Sequence, residues 1–262
     1  MSEFVVRNAV KERLARGEVA SSMTVRLTRS GEIAQLAKSA GFDSLYVDLE
    51  HSSLSLDTTG QICCAALACG IAPFVRVPQL ELVQRVLDGG ALGIIVPDVR
   101  TPEYAREAVR AAKYPPLGKR GFATALPQLQ YRSPSAREQY AALNDATMVL
   151  VQFESAEAVE RAEDIFAVEG VDMALFGTND MTTEMGIPGD YENRRVRDAY
   201  ARAIGAAKKH GKHVGVGGLG GRPKLIAEFV KMGARYVSTG TDLGFLLGAA
   251  TEQAKQVRGL EV

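Results

Sequence analysis

Short β-branched, apolar runs alternate with longer helical patterns along the whole chain, and that alternation is the tightest constraint on its fold. Strand-like runs fall at residues 23–27, 44–49, 73–77, 93–99, 147–154, 172–177, 213–218 and 236–240. Helical patterns fall at 30–41, 55–69, 80–90, 102–114, 155–170, 193–211, 223–233 and 241–257. Residues 115–145 read as a long irregular stretch. Several strands are apolar at consecutive positions, as expected when both faces of a parallel sheet are buried. Eight strand–helix units in 262 residues match the arithmetic of a single α/β domain, a (β/α)8 TIM barrel spanning 1–262. A doubly wound open sheet is the alternative. No Pro/Ser-rich linker or change of composition divides the chain.

Composition narrows the partners. Thirty-one basic and 31 acidic side chains give a net charge of zero, so no general field draws nucleic acid or an acidic membrane. No apolar run approaches the ~18 residues of a membrane span. The stretch Met1 to Arg16 is polar and helix-like, without the apolar segment of a secretory signal. Cys63, Cys64 and Cys69 sit in one apolar helical stretch with no histidine nearby. They read as small buried hydrophobes rather than zinc ligands or a disulfide framework, which fits a reducing cytoplasm.

Active sites of such barrels form where strands hand over to the following loops. Polar residues gather at those positions. One strand ends in Asp48-Leu49-Glu50-His51, and the next carries Arg76. Two later strands end in Gln152-Phe153-Glu154 and in Gly177-Thr178-Asn179-Asp180. Such residues are expensive beside a core unless they meet partners. Glu154 and Asp180 end neighbouring strands and form an oxygen-rich candidate site for Mg²⁺, Mn²⁺ or Co²⁺. The competing reading is that each carboxylate caps a helix or pairs with an arginine. His51 is the one histidine at this rim, and imidazole suits proton transfer near neutrality. A structural role is its alternative. His210 ends a helix, and His213 begins a strand at the far rim, so both read as structural. Arg76 is either a salt-bridged barrel residue or a stabiliser of a developing oxyanion. Asp88, near a helix end, has nothing local to make it catalytic.

Gly215-Val216-Gly217-Gly218-Leu219-Gly220 matches a dinucleotide-binding pattern, but it comes late and lacks the acid expected ~20 residues on. A substrate-facing loop is the preferred reading of 215–221, with a phosphate site as the alternative. No organic cofactor motif is otherwise visible.

Seven segments together resemble the HpcH/HpaI aldolases. They are AGFDSLYVDLEHSSLS (40–55), PFVRVP (73–78), RVLDGGALGIIVPDV (85–99), AAKYPPLGKRG (111–121), VLVQFES (149–155), GVDMALFGTNDMTTEMG (170–186) and GARYVSTGTDL (233–243). These are metal-dependent, class II pyruvate-type aldolases, a family that includes 4-hydroxy-2-oxoheptanedioate aldolase, 2-dehydro-3-deoxyglucarate aldolase and macrophomate synthase. The resemblance implies a (β/α)8 barrel assembled as a hexamer, a dimer of trimers, with the C-terminal helix exchanged between subunits. It implies Glu154 and Asp180 as metal ligands and His51 as the proton-transfer residue. Arg76 matches the arginine on the substrate oxo group, and Gln152 a glutamine that contacts the bound oxo acid. Asp88 matches an acid that reaches the histidine of a neighbouring subunit. Backbone around Phe176, Gly177 and Asn179 would hold the substrate carboxylate. The chain departs from the family where a Gly-Pro-x-Asp turn becomes Gly177-Thr178-Asn179-Asp180, and in its glycine-rich loop 217–222.

The implied chemistry joins the enolate of pyruvate or a related 2-oxo acid to an aldehyde, or reverses that step, with oxaloacetate decarboxylation as a side activity. Two rivals are a phosphosugar-type barrel isomerase or lyase and a non-catalytic 2-oxo-acid-binding protein.

Overall fold

The computed structural model describes residues 5–260. Residues 1–4 of the polar N-terminal stretch lie outside it. Eight strands, β1 (Ala20–Val25), β2 (Ser44–Asp48), β3 (Ala72–Arg76), β4 (Gly93–Val96), β5 (Met148–Phe153), β6 (Met173–Gly177), β7 (His213–Gly217) and β8 (Tyr236–Thr241), pair in parallel and close β8 onto β1. The open-sheet alternative is thereby excluded. The helices, in chain order, are α1 (Ala9–Ala15), α2 (Glu32–Ser39), α3 (Leu56–Cys69), α4 (Val83–Asp88), α5 (Pro102–Ala112), α6 (Ala136–Ala146), α7 (Ala156–Glu160), α8 (Ala162–Phe166), α9 (Thr178–Glu184), α10 (Arg194–Lys209), α11 (Pro223–Met232) and α12 (Asp242–Arg258). None is long and apolar enough to cross a membrane.

Local chemistry sets the helix ends. Ser55 accepts from the Thr58 amide to start α3, and left-handed Gly70 stops it. Ser155 caps α7 by accepting from the Ala158 amide, as its sequence position suggests. Three expectations need correction. The stretch 115–145 is not wholly irregular: a capping box between Ser135 and Glu138 starts α6 inside it. The single helix expected over 155–170 is two, α7 and α8, separated at Arg161. The first strand also begins and ends earlier than the 23–27 read from its pattern, leaving Arg26 and Leu27 beyond its end.

Side chains alternate inward and outward along each strand. The outward set (Val47, Val75, Ile94, Val149, Val151, Val216) packs against the helices. The inward set (Tyr46, Phe74, Ile95, Leu150, Met173, Leu175, Tyr236) fills the barrel with Val10 and Leu14 of α1, which plug its N-terminal end. The Asn8 side chain ties that plug down by capping α1 and donating to Ala146 O at 2.8 Å. With one end stoppered by apolar residues, the open end lies at the strand C-termini. Cys63 is buried, while Cys64 and Cys69 are only half-buried, and all three are free thiols. His210 caps the end of α10 and His213 begins β7, in agreement with their structural reading.

The last helix differs from the rest. Of α12, only Asp242 is buried, and Leu243, Phe245, Leu246, Leu247 and Val257 are exposed.

Candidate active site

A pocket of about 580 Å³ opens at the C-terminal ends of the strands. The inward phase of each strand carries the core up to it and then turns polar: Tyr46 is followed by Asp48, Phe74 by Arg76, Leu150 by Gln152 and Glu154, Leu175 by Gly177. Of the residues expected at this site, His51, Arg76, Gln152, Glu154, Phe176, Gly177, Asn179 and Asp180 all line the same pocket. Asp88 does not. Within one chain it ends α4 and pairs with Arg120 at 2.7 Å.

Asp48 is the hub of the charged wall, and sequence reasoning noted it at the rim without giving it a role. It is fully buried and accepts from Arg76 Nε at 2.9 Å and Arg76 Nη2 at 2.7 Å, a bidentate pair. Arg26 Nε adds a third donor at 2.6 Å, and the backbone amides of Glu50 and His51 add two more. Burial pushes this carboxyl up, but the Arg76 hydrogen bonds and charge, the His51 amide and Arg26 outweigh it and hold it below its ordinary range. Arg76 Nη1 meets Glu50 Oε2 at 2.8 Å and lies 3.5 Å from Gln152 Oε1. Its guanidinium also lies over the Tyr46 ring. The β2–β3 register sets Asp48 directly beside Arg76, so the pair follows from strand alignment.

Glu154 sits beyond the end of β5. It accepts from Gln152 Nε2 at 3.1 Å and from the Asp98 amide at 2.9 Å. Asp98 has left-handed backbone (φ 46°) in the turn after β4, the conformation that aims its N–H at Glu154. Gly177 is required for room: a Cβ there would collide with Glu154 Oε1. Burial raises the Glu154 carboxyl to about 7, against the lowering effect of the Asp98 amide and with a further raise from the Asp180 charge. Two carboxylates that repel across a pocket are what a cation relieves.

Among the described residues, no group of three His, Cys, Asp or Glu side chains that could hold a metal is found. The protein can thus offer two carboxylates, Glu154 and Asp180. That donor set fits an oxygen-preferring divalent ion whose other positions stay free for water and a chelating substrate. No lysine among the described residues lines the pocket. Asn179 is held by Tyr191 Oη, which donates to its Oδ1 at 2.7 Å. Thr178 Oγ1 donates to Gly217 O at 2.6 Å and fastens the start of α9 to β7. No side chain caps α9, so its first-turn N–H groups border the pocket beside Asp180. The Phe176 ring faces the helices and stacks on Tyr200, which leaves its backbone alone to face a ligand. His51 is 53% exposed, with Nε2 3.8 Å from Glu50 Oε2.

The opposite wall is neutral. Gly217, Gly218, Gly220 and Gly221, with Ser238, Thr239 and Thr241, complete the pocket. The glycine motif is therefore the end of β7 and a pocket-lining loop, and α11 starts only at Pro223, past the last glycine of the motif. A larger cleft of about 890 Å³ lies at the plugged end of the barrel. Its arginines are already paired, Arg7 with Glu12, Arg13 with Glu18 and Asp43, and Arg16 with Glu18, and it gathers none of the residues above.

Known proteins resemble this chain in sequence and in fold. A 4-hydroxy-4-methyl-2-oxoglutarate aldolase of Hapsidospora irregularis is 40% identical over 97% of this chain and 96% of its own length. A 4-hydroxy-2-oxo-heptane-1,7-dioate aldolase of Escherichia coli is 33% identical over 94% and 93%. The crystal structure of an HpcH/HpaI aldolase from Desulfitobacterium hafniense superposes with a TM-score of 0.91 at 30% identity, covering 97% of this chain and 98% of that one. The profile of one family, HpcH/HpaI aldolase/citrate lyase, matches residues 22–249 and so runs from β1 into α12 across every strand that furnishes the pocket. Barrel and sequence agree, and the chain belongs to the HpcH/HpaI aldolase/citrate lyase family.

Proposed function

We propose that the protein is a divalent-metal-dependent class II aldolase, a carbon–carbon lyase that joins the enolate of pyruvate or a related 2-oxo acid to a carbonyl acceptor such as an aldehyde and reverses that step. The observation that carries this reading is the convergence of Glu154 and Asp180, unneutralised, in one pocket with Arg76 and His51. A divalent cation (Mg²⁺, Mn²⁺ or Co²⁺) held by these carboxylates supplies Lewis-acid polarisation of the 2-oxo group. Arg76 donates to the oxygen that gains charge as the enolate forms. With Nε and Nη2 locked on Asp48, the planar guanidinium holds Nη1 in place, and Nη1 is the donor the substrate oxygen takes over from Glu50. Gln152 is held between Arg76 and Glu154 and contacts the bound oxo acid. Backbone of Phe176, Gly177 and Asn179 receives its carboxylate. His51 moves a proton at the methyl carbon of the donor and at the acceptor oxygen. The same enolate arises when oxaloacetate loses CO2, so that activity is expected as well.

The compound named for the Hapsidospora relative carries a carboxylate at each end, and cleavage of its C3–C4 bond releases two pyruvate molecules. It is the first cleavage substrate to try. The whole chain acts as one catalytic domain. The exposed apolar face of α12 supports its exchange between subunits in a hexamer built as a dimer of trimers, with Asp88 reaching a neighbour's His51. Three free thiols support a cytoplasmic setting.

The test is exchange of the pyruvate methyl protons in D₂O, followed by NMR, on protein stripped by chelator and then supplied with each cation. Exchange that returns only with metal supports the reading. No exchange with any cation overturns it for pyruvate, and oxo-acid analogues then test the donor class.

A further inference from the structure

We propose that Arg26 selects an acceptor that carries a carboxylate of its own. The inference rests on the aldolase reading and names the substrate class of its second half. Arg26 lies one residue beyond β1, in the same inward phase as Ser22 and Thr24, and lines the pocket with Arg76, His51 and Glu154. Its side chain is 38% exposed. Only Nε is engaged, by Asp48 Oδ2, and both terminal nitrogens are without a partner among the described residues.

The other arginine of the pocket is spent differently. Arg76 is almost fully buried and its three nitrogens already meet Asp48, Glu50 and Gln152. In the proposed function the donor's own carboxylate goes to the backbone of Phe176, Gly177 and Asn179, beside the cation that Glu154 and Asp180 would hold. A second carboxylate entering this pocket finds one unused fork of parallel N–H donors, and it belongs to Arg26. A planar guanidinium with both terminal nitrogens open matches a carboxylate in bidentate geometry.

The fork is also held in place. The Asp242 carboxylate accepts from the backbone amides of Arg26 at 3.0 Å, Leu27 at 3.1 Å and Thr28 at 2.7 Å. Asp242 is the one buried residue of α12. It fixes the turn after β1, while Asp48 fixes the Arg26 side chain through Nε. Both constraints hold Arg26 where it lines the pocket, together with the neutral wall of Ser238, Thr239 and the glycine loop, and leave its terminal nitrogens unshared among the described residues.

The experiment uses the full-length, metal-loaded protein with pyruvate as donor and two matched acceptor pairs: glyoxylate against acetaldehyde, and 4-oxobutanoate against butanal. The readout is the ratio of kcat/KM for the charged member to that for the neutral member. Losses shared by both members, transmitted through Asp48 to Arg76, cancel in this ratio. Arg26→Leu is expected to lower the ratio about 10- to 100-fold for at least one pair, the effect of losing hydrogen bonds to a charged group. Arg26→Lys, which keeps the charge and loses the fork, is expected to fall between and serves as the reference if the leucine variant does not fold. An unchanged ratio for both pairs in the lysine and leucine variants overturns the assignment while leaving the aldolase reading intact. Wild-type protein that neither exchanges pyruvate protons nor uses any acceptor overturns both.

Discussion

The wall formed by β3 and β5 carries Arg76, Gln152 and Glu154, backed by Asp48 and Glu50 from β2 and its following turn, whereas the wall formed by β7, β8 and the start of α12 carries glycines, hydroxyls and Phe245. On the first wall nearly every polar atom has a partner, and the charges hold one another in fixed positions. Such preorganisation is what stabilising a developing charge requires. The second wall offers space with few fixed charges, and that is where chemistry can stay constant while acceptors vary. Arg26, just beyond β1, lines the pocket at the seam between the two walls.

The sharpest way to break this division is to remove a charge from the first wall. Glu154→Ala is expected to lower metal-dependent turnover by about 1,000-fold or more, since Lewis-acid assistance is worth several kcal/mol. Steady-state rates across a cation titration check it, and near wild-type activity sinks the metal assignment. Asp48→Ala strands two arginines, one of them buried. It is expected to cost about 3–5 kcal/mol of stability, as when one partner of a buried pair is removed. Urea unfolding reads this directly, and a loss comparable to that of a surface ion pair would falsify its role as hub.

A third prediction uses pH. The Glu154 carboxyl is raised in the folded chain to about 7 by burial and by Asp180. Between the ordinary glutamate value of ~4.3 and about 7 the folded state therefore holds more protons than the unfolded state, and stability declines as pH rises through that window. Chelator-stripped protein should show a falling Tm from pH 4.5 to 7. Glu154→Gln or saturating divalent cation should flatten the slope, and an equal slope in all three samples contradicts the picture. The smallest effect belongs to the second wall. Gly218 has φ +76°, and a Cβ there would lie 3.3 Å from the Asn179 side chain. Gly218→Ala should cost about 1–2 kcal/mol of stability through backbone strain. It should raise the acceptor KM more than it slows pyruvate exchange, and the reverse order would place the loop with the donor.

Much of this was legible before any coordinates. All eight strands were marked by their apolar runs, and the rim residues by charges at the ends of those runs. What escaped were local features whose signal is weak in one dimension. The α6 helix is polar on much of its surface and is announced chiefly by the capping box at Ser135. Asp98 looks like an ordinary turn residue, and its amide matters only because its left-handed backbone aims it at Glu154. Arg26 lay within an expected strand, and its importance depends on which neighbours share its nitrogens.

The sequence by itself determined the alternation of strands and helices, the family and the set of polar residues at the strand ends, because periodicity and helix capping are properties of neighbours along the chain. Tertiary structure decided the partnerships. Closing β8 onto β1 and setting Asp48 beside Arg76 in the β2–β3 register fixed which carboxylate is locked to an arginine and which two are left facing each other. Those outcomes depend on strand register and on burial, which raises the cost of an unpaired charge only once the barrel has closed around it.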